Sequence, residues 1–288
     1  MLILGGSSLL AYLWVKQVNH IYEIYITKNK CCINYMGLES IEIDLFSINS
    51  VQRILDFYDI DIVLNCIGLT NVEACENNPL EAFKLNSHLP GIIANACNST
   101  NTKFIHISTD HLYDDKNILY SEEDEVRLIN VYAKSKYEGE LEVLNNCQSS
   151  IICRTNFFGY GPPHRNSFSQ WIEESAKKNK DIVLFKDVFF TPVSGKNLAL
   201  YAHKLLENNF SGIFNISSDK KISKFHFGKL ICKKLNIPSN SILPGSIDDK
   251  SGLIRRPKAM GLSNTKLTEA IKNQDLGIEI QIGSILKK

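Results

Sequence analysis

The run Asp61-Ile62-Val63-Leu64-Asn65-Cys66-Ile67-Gly68 constrains this chain most. It is apolar almost throughout and ends in small residues, the pattern of a strand buried on both faces of a parallel sheet. Parallel strands need crossover connections, and helices are the usual solution. Met1–Leu4, about Glu23–Thr27, Ile41–Asp44, Lys103–Ser108 and Ile151–Cys153 read as further strands. Helical segments run to about Asn19, over Asn49–Tyr58, over Pro79–Cys97 with an interruption near Pro90-Gly91, and onward from Tyr132. This alternation predicts an α/β fold built on a doubly wound parallel sheet. In such sheets ligands sit at the carboxyl ends of the strands, where Gly5, Cys66, Thr109 and Asn156 fall.

Beyond Gly159 the rhythm changes. Gly161-Pro162-Pro163 marks a loop, and a helix follows over Phe168–Lys180 with Trp171 and Ile172 on its apolar side. A short strand at about Ile182–Phe185, a helix from about Asn197 to Glu207, a strand at Ile213–Ile216 and a helix over Ser223–Leu235 come next. The predicted division is therefore a Rossmann-type nucleotide-binding domain over residues 1–160. A smaller substrate lobe over 161–288 is expected to be partly intercalated with it.

A chain of 288 residues with 44% hydrophobic and 22% charged residues is ordinary for a soluble globular protein. No apolar run nears the roughly 20 residues of a membrane span, and Met1–Leu4 meets Gly5-Gly6 too soon for a signal peptide. Eight cysteines without a CxxC pair read as reduced thiols of a cytoplasmic protein. The net charge of +1 hides an asymmetry: residues 1–150 carry 10 Lys and Arg against 20 Asp and Glu, and residues 151–288 carry 22 against 11. A basic C-terminal half could attract an anionic ligand such as a pyrophosphate, although solvated lysines on helix surfaces give the same count. No basic stripe with interleaved aromatics suggests nucleic acid, and the acidic run Glu122–Glu125 has no histidine to make it a metal site. It reads as a solvated loop.

Several residues carry chemistry by their setting. Gly5, Ser8 and Ala11 match G-x-x-G-x-x-G spacing in a strand–turn–helix, where backbone N–H groups and a helix N-terminus bind pyrophosphate; an ordinary tight turn would use the same residues. Ser8 could donate its hydroxyl to a phosphate, and Ala11 still allows close helix–strand packing. At the end of the second strand no acidic residue awaits ribose hydroxyls. Lys28 stands there instead, which favours NADP over NAD. Asp44 and Leu45, after the third strand, fall near an adenine in such a fold. Tyr132 and Lys136 are spaced i, i+4 and so share one helix face.

Together, Asn65-Cys66-Ile67-Gly68-Leu69-Thr70, Ser108-Thr109-Asp110, Asn130-Val131-Tyr132-Ala133-Lys134-Ser135-Lys136, Glu138-Gly139-Glu140 and Arg154-Thr155 resemble the extended short-chain dehydrogenase/reductases. The resemblance is to the dTDP-4-dehydrorhamnose reductase branch, and Phe190-Thr191-Pro192 and Arg256-Pro257 extend it into the C-terminal part. It implies NAD(P)H-dependent reduction of a nucleotide-linked 4-keto-6-deoxy sugar in polysaccharide or glycan precursor synthesis. Tyr132 would be the general acid, Lys136 would tune it and hold the nicotinamide ribose, and Thr109 would bond the carbonyl oxygen. Leu9, Cys66, Ile67 and Thr70 would line the cofactor; Val72, Glu73, Asp110, His111 and Phe157 would face the sugar. A homodimer is the expected assembly. Ser8 and Ala11 replace the family's glycines, and His111-Leu112-Tyr113 replaces its usual Tyr-Val-Phe, which points to a different sugar.

Two further readings share these residues. One is a sugar-nucleotide epimerase or dehydratase that regenerates a tightly held cofactor. The other is a non-catalytic subunit like the regulatory subunit of methionine adenosyltransferase, which has the same fold.

Overall fold

Seven strands, all parallel, form the central sheet of the computed structural model, which describes residues 1–27, 37–113, 116, 118–162, 165–272 and 274–286. In chain order the first half supplies β1 (Leu2–Leu4), α1 (Leu9–Val18), β2 (Tyr25–Thr27), β3 (Glu39–Ile41), α2 (Ile48–Phe57) and β4 (Ile62–Asn65). Then come α3 (Val72–Asn77), α4 (Pro79–Phe83), α5 (Leu89–Ser99), β5 (Lys103–Ile107), α6 (Val131–Asn146), β6 (Ile151–Thr155) and β7 (Phe157–Phe158). The second half adds α7 (Phe168–Lys177), β8 (Ile182–Phe185), β9 (Phe189–Phe190), β10 (Val193–Ser194), α8 (Gly195–Glu207) and β11 (Gly212–Ile216). The chain closes with β12 (Ile222–Ser223), α9 (Lys224–Leu235), β13 (Ile242–Gly245), β14 (Ala259–Met260), α10 (Thr265–Ala270) and α11 (Ile278–Leu286).

The strand order β11-β6-β5-β4-β1-β2-β3 reverses direction between β1 and β4, which opens a crevice above their carboxyl ends. Helices cover both faces. Trp14, Val15, Leu198 and Leu205 of α1 and α8 pack on one, and Val51, Leu55, Ile93 and Val143 of α2, α5 and α6 on the other. Short polar side chains set where helices begin: Ser8, Ser47, Asn71, Asn130, Ser194 and Ser223 each accept a backbone N–H of the first turn. Each such cap contributes about 1 kcal/mol.

The second half divides between two places. Helix α8 and strand β11 return to the central sheet, while a separate cluster around Phe158, Ile172, Leu184, Phe190, Phe227 and Ile282 sits beyond its carboxyl edge. Gln281 of α11 ties that lobe back to α8, taking hydrogen bonds from Ser194 N (3.2 Å) and Asn197 Nδ2 (2.9 Å). Among the described residues no helix is long and apolar enough to cross a membrane, and no cluster could hold a metal ion. Cys66, Cys75, Cys97, Cys147, Cys153 and Cys232 are free thiols. Cys31 and Cys32 lie outside the described residues.

Four local expectations need correction. The third strand is Glu39–Ile41, ending before Asp44, because the Asp44 carboxylate takes the Phe46 N–H (3.0 Å) and turns the chain towards α2. The helix containing Pro90 is interrupted one turn earlier than expected, by a π-helical turn over Lys84–His88. Pro90 has no N–H for the Asn86 carbonyl, so the ordinary ladder fails there. Trp171 is 40% exposed and stacks on Phe168 at 6.0 Å instead of entering the core, and its helix stops at Lys177, just before Asn179 turns left-handed at φ 50°. The acidic loop is also anchored: Glu122 accepts the Asn215 N–H of β11 (2.7 Å), and Asp124 accepts from Ser121 N and Oγ.

The π turn meets α6 at Gly139, where a Cβ would lie 2.0 Å from the Asn86 carbonyl oxygen. Asn86 is fully buried and reaches Leu69 N (2.8 Å), Leu69 O (3.0 Å) and Ser135 Oγ (2.9 Å), so it joins the loop after β4 to α6. Gly139→Ala is expected to cost about 1–3 kcal/mol through overpacking, read as a lower urea midpoint at unchanged m-value.

Candidate active site

A buried ionic network begins where β5 ends, just after Ile107. Glu140 (fully buried) and Arg154 (2% exposed) form a two-pronged pair, with Arg154 Nη2 donating to Oε2 at 2.7 Å and Nε to Oε1 at 3.0 Å. Ser108 Oγ donates to the same Glu140 Oε1 at 2.5 Å, and Arg154 Nη1 donates to the Tyr113 hydroxyl at 2.6 Å. Burial opposes the Arg154 charge, but Glu140 and Tyr113 outweigh it and hold its pKa above the usual guanidinium range. The network therefore clamps both ends of Ser108–Tyr113 against α6 and β6. These roles of Ser108, Glu140 and Arg154 could have been suspected from their shared motif, but no spacing rule pairs them.

Held this way, Thr109 faces the helix opposite. Asn130 caps α6 through Ala133 N (2.8 Å) and places Tyr132 and Lys136 one turn apart on its inner face. Thr109 Oγ1 accepts the His111 N–H at 3.2 Å, and the Thr109 hydroxyl favours the charged forms of both Tyr132 and Asp110. His111 stands edge-on to the Tyr132 ring at 5.4 Å, and Lys136 Nζ donates to the Ile107 carbonyl at 2.6 Å. Thr109, Asp110, His111, Tyr132 and Lys136 border a cavity of about 440 Å³ at the sheet's carboxyl edge.

Burial governs the protonation of this wall. It pushes the Tyr132 phenol above its ordinary value, with Thr109 pulling the other way. It brings Lys136 down to about 8 against the attraction of Glu140, and His111 down to about 3. Asp110 is raised by burial to about 6, opposed by Lys224 and by the hydrogen bond from Asn156 Nδ2 (2.9 Å). The sequence reading had Lys136 lowering Tyr132; here the ammonium turns to Ile107 O and burial sets the phenol. A phenol held protonated can still serve as a donor.

The predicted residues divide by position. On the cofactor side Ser8, Leu9, Cys66, Ile67 and Thr70 line the cavity; on the other Thr109, Asp110, His111, Tyr132, Lys136 and Phe157 do. Gly5 (φ 77°) lies just behind, where a Cβ would press on Cys66 and Ile67. Ala11 is wholly buried in the core, and its N–H goes to Ser8 Oγ (3.0 Å), so the serine's oxygen caps α1. Lys28 lies outside the described residues. Asp44 and Leu45 do not line the cavity, since Asp44 closes its own turn. Val72 packs beneath Tyr132 with Cys75 and Ala82. Glu73, expected to face a sugar, instead pairs with Arg256 of the lobe at 2.5 Å.

Several wall residues were missed in sequence. Arg165, Asn166, Ser167 and Phe168 border the cavity from the start of α7, and Lys224 of α9 acts on Asp110 from the lobe. The basic bias of the second half hinted at Arg165 and Lys224, and nothing in the spacing pointed to the other three. The β1–α1 turn suits a dinucleotide: its positive-φ glycine lets backbone approach backbone, and α1 begins at the cavity wall with Ser8 and Leu9.

Comparison with known proteins agrees with this geometry. The family described as RmlD substrate binding domain matches residues 1–287. The probable low-salt glycan biosynthesis reductase Agl14 of Haloferax volcanii is 32% identical over 222 residues, covering 75% of this chain and 74% of its own. Methionine adenosyltransferase 2 subunit beta of Pongo abelii is 26% identical over 245 residues, covering 78% and 70%. Among solved structures, the dTDP-4-dehydrorhamnose reductase of Bacillus anthracis, in complex with NADP, matches with a TM-score of 0.86. That match covers 99% of this chain and 97% of the other at 23% identity, a likeness of fold.

Proposed function

We propose that this chain, which belongs to the RmlD substrate binding domain family, reduces the keto group of a nucleotide-linked 4-keto-6-deoxy sugar with NAD(P)H, in glycan precursor synthesis. The observation that carries the reading is the convergence of Thr109, Tyr132 and Lys136 on one cavity beside the β1–α1 turn. The reductase relative Agl14 supports the reaction class.

In this reading the nicotinamide, when bound, supplies hydride to the carbonyl carbon. Tyr132 donates its phenolic proton to the carbonyl oxygen as charge grows there, and Thr109 steadies that oxygen by a hydrogen bond. Lys136 holds the cofactor's ribose and, as an ammonium, stabilises the tyrosinate left behind. Ser8, Leu9, Cys66, Ile67 and Thr70 form the cofactor wall, while Asp110, His111 and Phe157 address the sugar. Residues 1–160 with the returning α8 and β11 act as the nucleotide-binding unit, and the lobe around Phe227 closes on the sugar. We favour NADP over NAD on Lys28, a cytoplasmic location on the free thiols, and a homodimer as the assembly.

The test is oxidation of NADPH and of NADH with a panel of 4-keto-6-deoxy sugar nucleotides. Net consumption with at least one sugar is the expected result. Purified protein carrying stoichiometric NAD with no net consumption would establish an epimerase or dehydratase instead. A co-purifying partner enzyme and no turnover would favour the subunit role that the methionine adenosyltransferase relative has.

A further inference from the structure

His106 is wholly buried inside the sheet, a place that ordinarily goes to an apolar side chain. It stands on β5 beside Asn65 of β4, its partner in the parallel register. Asn65 Nδ2 meets His106 Nδ1 at 3.2 Å, and Asn65 Oδ1 accepts the Ile67 N–H at 3.0 Å. The second bond fixes which end of the amide faces the ring. An amide nitrogen only donates, so Nδ1 must accept and the ring proton must sit on Nε2. Burial, joined by the Lys136 charge, holds the imidazole well below its ordinary pKa and so keeps it neutral.

That tautomer is a costly choice for packing alone. His106 Nε2 is buried with no hydrogen-bond partner among the described residues. A buried donor in that state costs free energy that a leucine of similar size would not. What the histidine supplies in return is an acceptor aimed at Asn65. Asn65 borders the cavity together with Cys66, Ile67 and Gly68. These residues fit closely against the first turn: Cys66 N donates to the Leu4 carbonyl (3.1 Å), and a Cβ on Gly5 would lie 3.0 Å from Ile67 Cγ1. A swing of the Asn65 amide would free the Ile67 N–H and disturb the fit of the two turns. On its other side His106 precedes Ile107, whose carbonyl takes the Lys136 ammonium.

We propose that His106 is a positioning residue for the cofactor: Nδ1 holds the Asn65 amide, Asn65 holds the Ile67 N–H, and the Cys66–Gly68 turn is thereby kept in one shape for a nicotinamide dinucleotide. His106 is itself sealed from the cavity and acts through Asn65. A wall ordered in advance spares the cofactor the cost of ordering it on binding. This inference deepens the reductase reading and takes from it that a nicotinamide dinucleotide lies along this wall.

Fluorescence titration of the full-length protein with NADPH and with NADH tests it, on two variants that separate the acceptor from the volume. His106→Leu keeps most of the volume and loses the acceptor; it should bind the nucleotide about five- to tenfold more weakly, with a thermal midpoint near wild type. His106→Asn keeps an acceptor at the Nδ1 position and loses ring volume; it should bind within about twofold of wild type although its midpoint falls. Proton–nitrogen correlation spectra of the wild type should show the neutral ring with its proton on Nε2. If His106→Leu does not fold, the affinity of His106→Asn and the tautomer decide. Unchanged affinity in His106→Leu, affinity that follows the midpoint instead of the acceptor, or a proton on Nδ1 would overturn the role and leave the reductase reading standing. Wild-type protein that binds neither NADPH nor NADH removes the cofactor reading itself, and the role of His106 with it.

Discussion

Tyr132→Phe is expected to lower kcat by about 10²–10⁴-fold, the usual worth of a positioned general acid. The variant removes one oxygen and little else. The ring keeps its edge contact with His111 and its packing on Val72, Cys75 and Ala82, so the thermal midpoint and NADP affinity should hold. Loss of turnover with an intact fold assigns the proton to this phenol; a kcat within a few fold of wild type moves the donor elsewhere. The pH profile gives a second check. Burial keeps Tyr132 protonated through the working range, so it sets neither limb near neutrality. Asp110 loses its charge as pH falls through about 6, and Lys136 and Lys224 lose theirs as pH rises through about 8. Accordingly kcat/KM should fall on both sides of that window. Lys224→Met should leave the Lys136 contribution to the upper limb in place.

Arg154→Met should destabilise the protein by about 3–5 kcal/mol, because it strands a buried carboxylate. Glu140 would keep only the Ser108 hydroxyl, and the Tyr113 hydroxyl would keep only its bond to the Ser121 carbonyl (2.9 Å). Denaturation in urea measures the loss. Glu140→Gln with Arg154→Met restores neutrality and should recover part of the deficit; failure to do so would mean that shape, not charge, holds the Ser108–Tyr113 segment.

Much of the scaffold was legible because it rests on local rules. Continuous apolar runs such as Ile62–Asn65 can be strands only where both faces are covered, and serines and asparagines mark the helix starts they cap. The Tyr132–Lys136 spacing places both on one helix face in any helix. The misplacements arose where one side chain competed with the local pattern. Asp44 ended a strand early by taking a backbone N–H, and Pro90 deprived Asn86 of its helical donor and moved the irregular turn upstream.

By itself, then, the sequence determined the parallel sheet, the helix that carries the tyrosine and lysine, and the hydroxyl at the strand end. Hydrophobic period and capping act within a few residues and can be read along the chain. The tertiary structure alone decided what surrounds those groups. It sent Glu73 to Arg256, turned Lys136 to a backbone carbonyl, and buried Glu140 against Arg154. It also brought the charge of Lys224 to bear on Asp110, 114 positions away in the chain. Charge pairing and desolvation depend on distance and water exclusion in space, and no spacing in the chain encodes them.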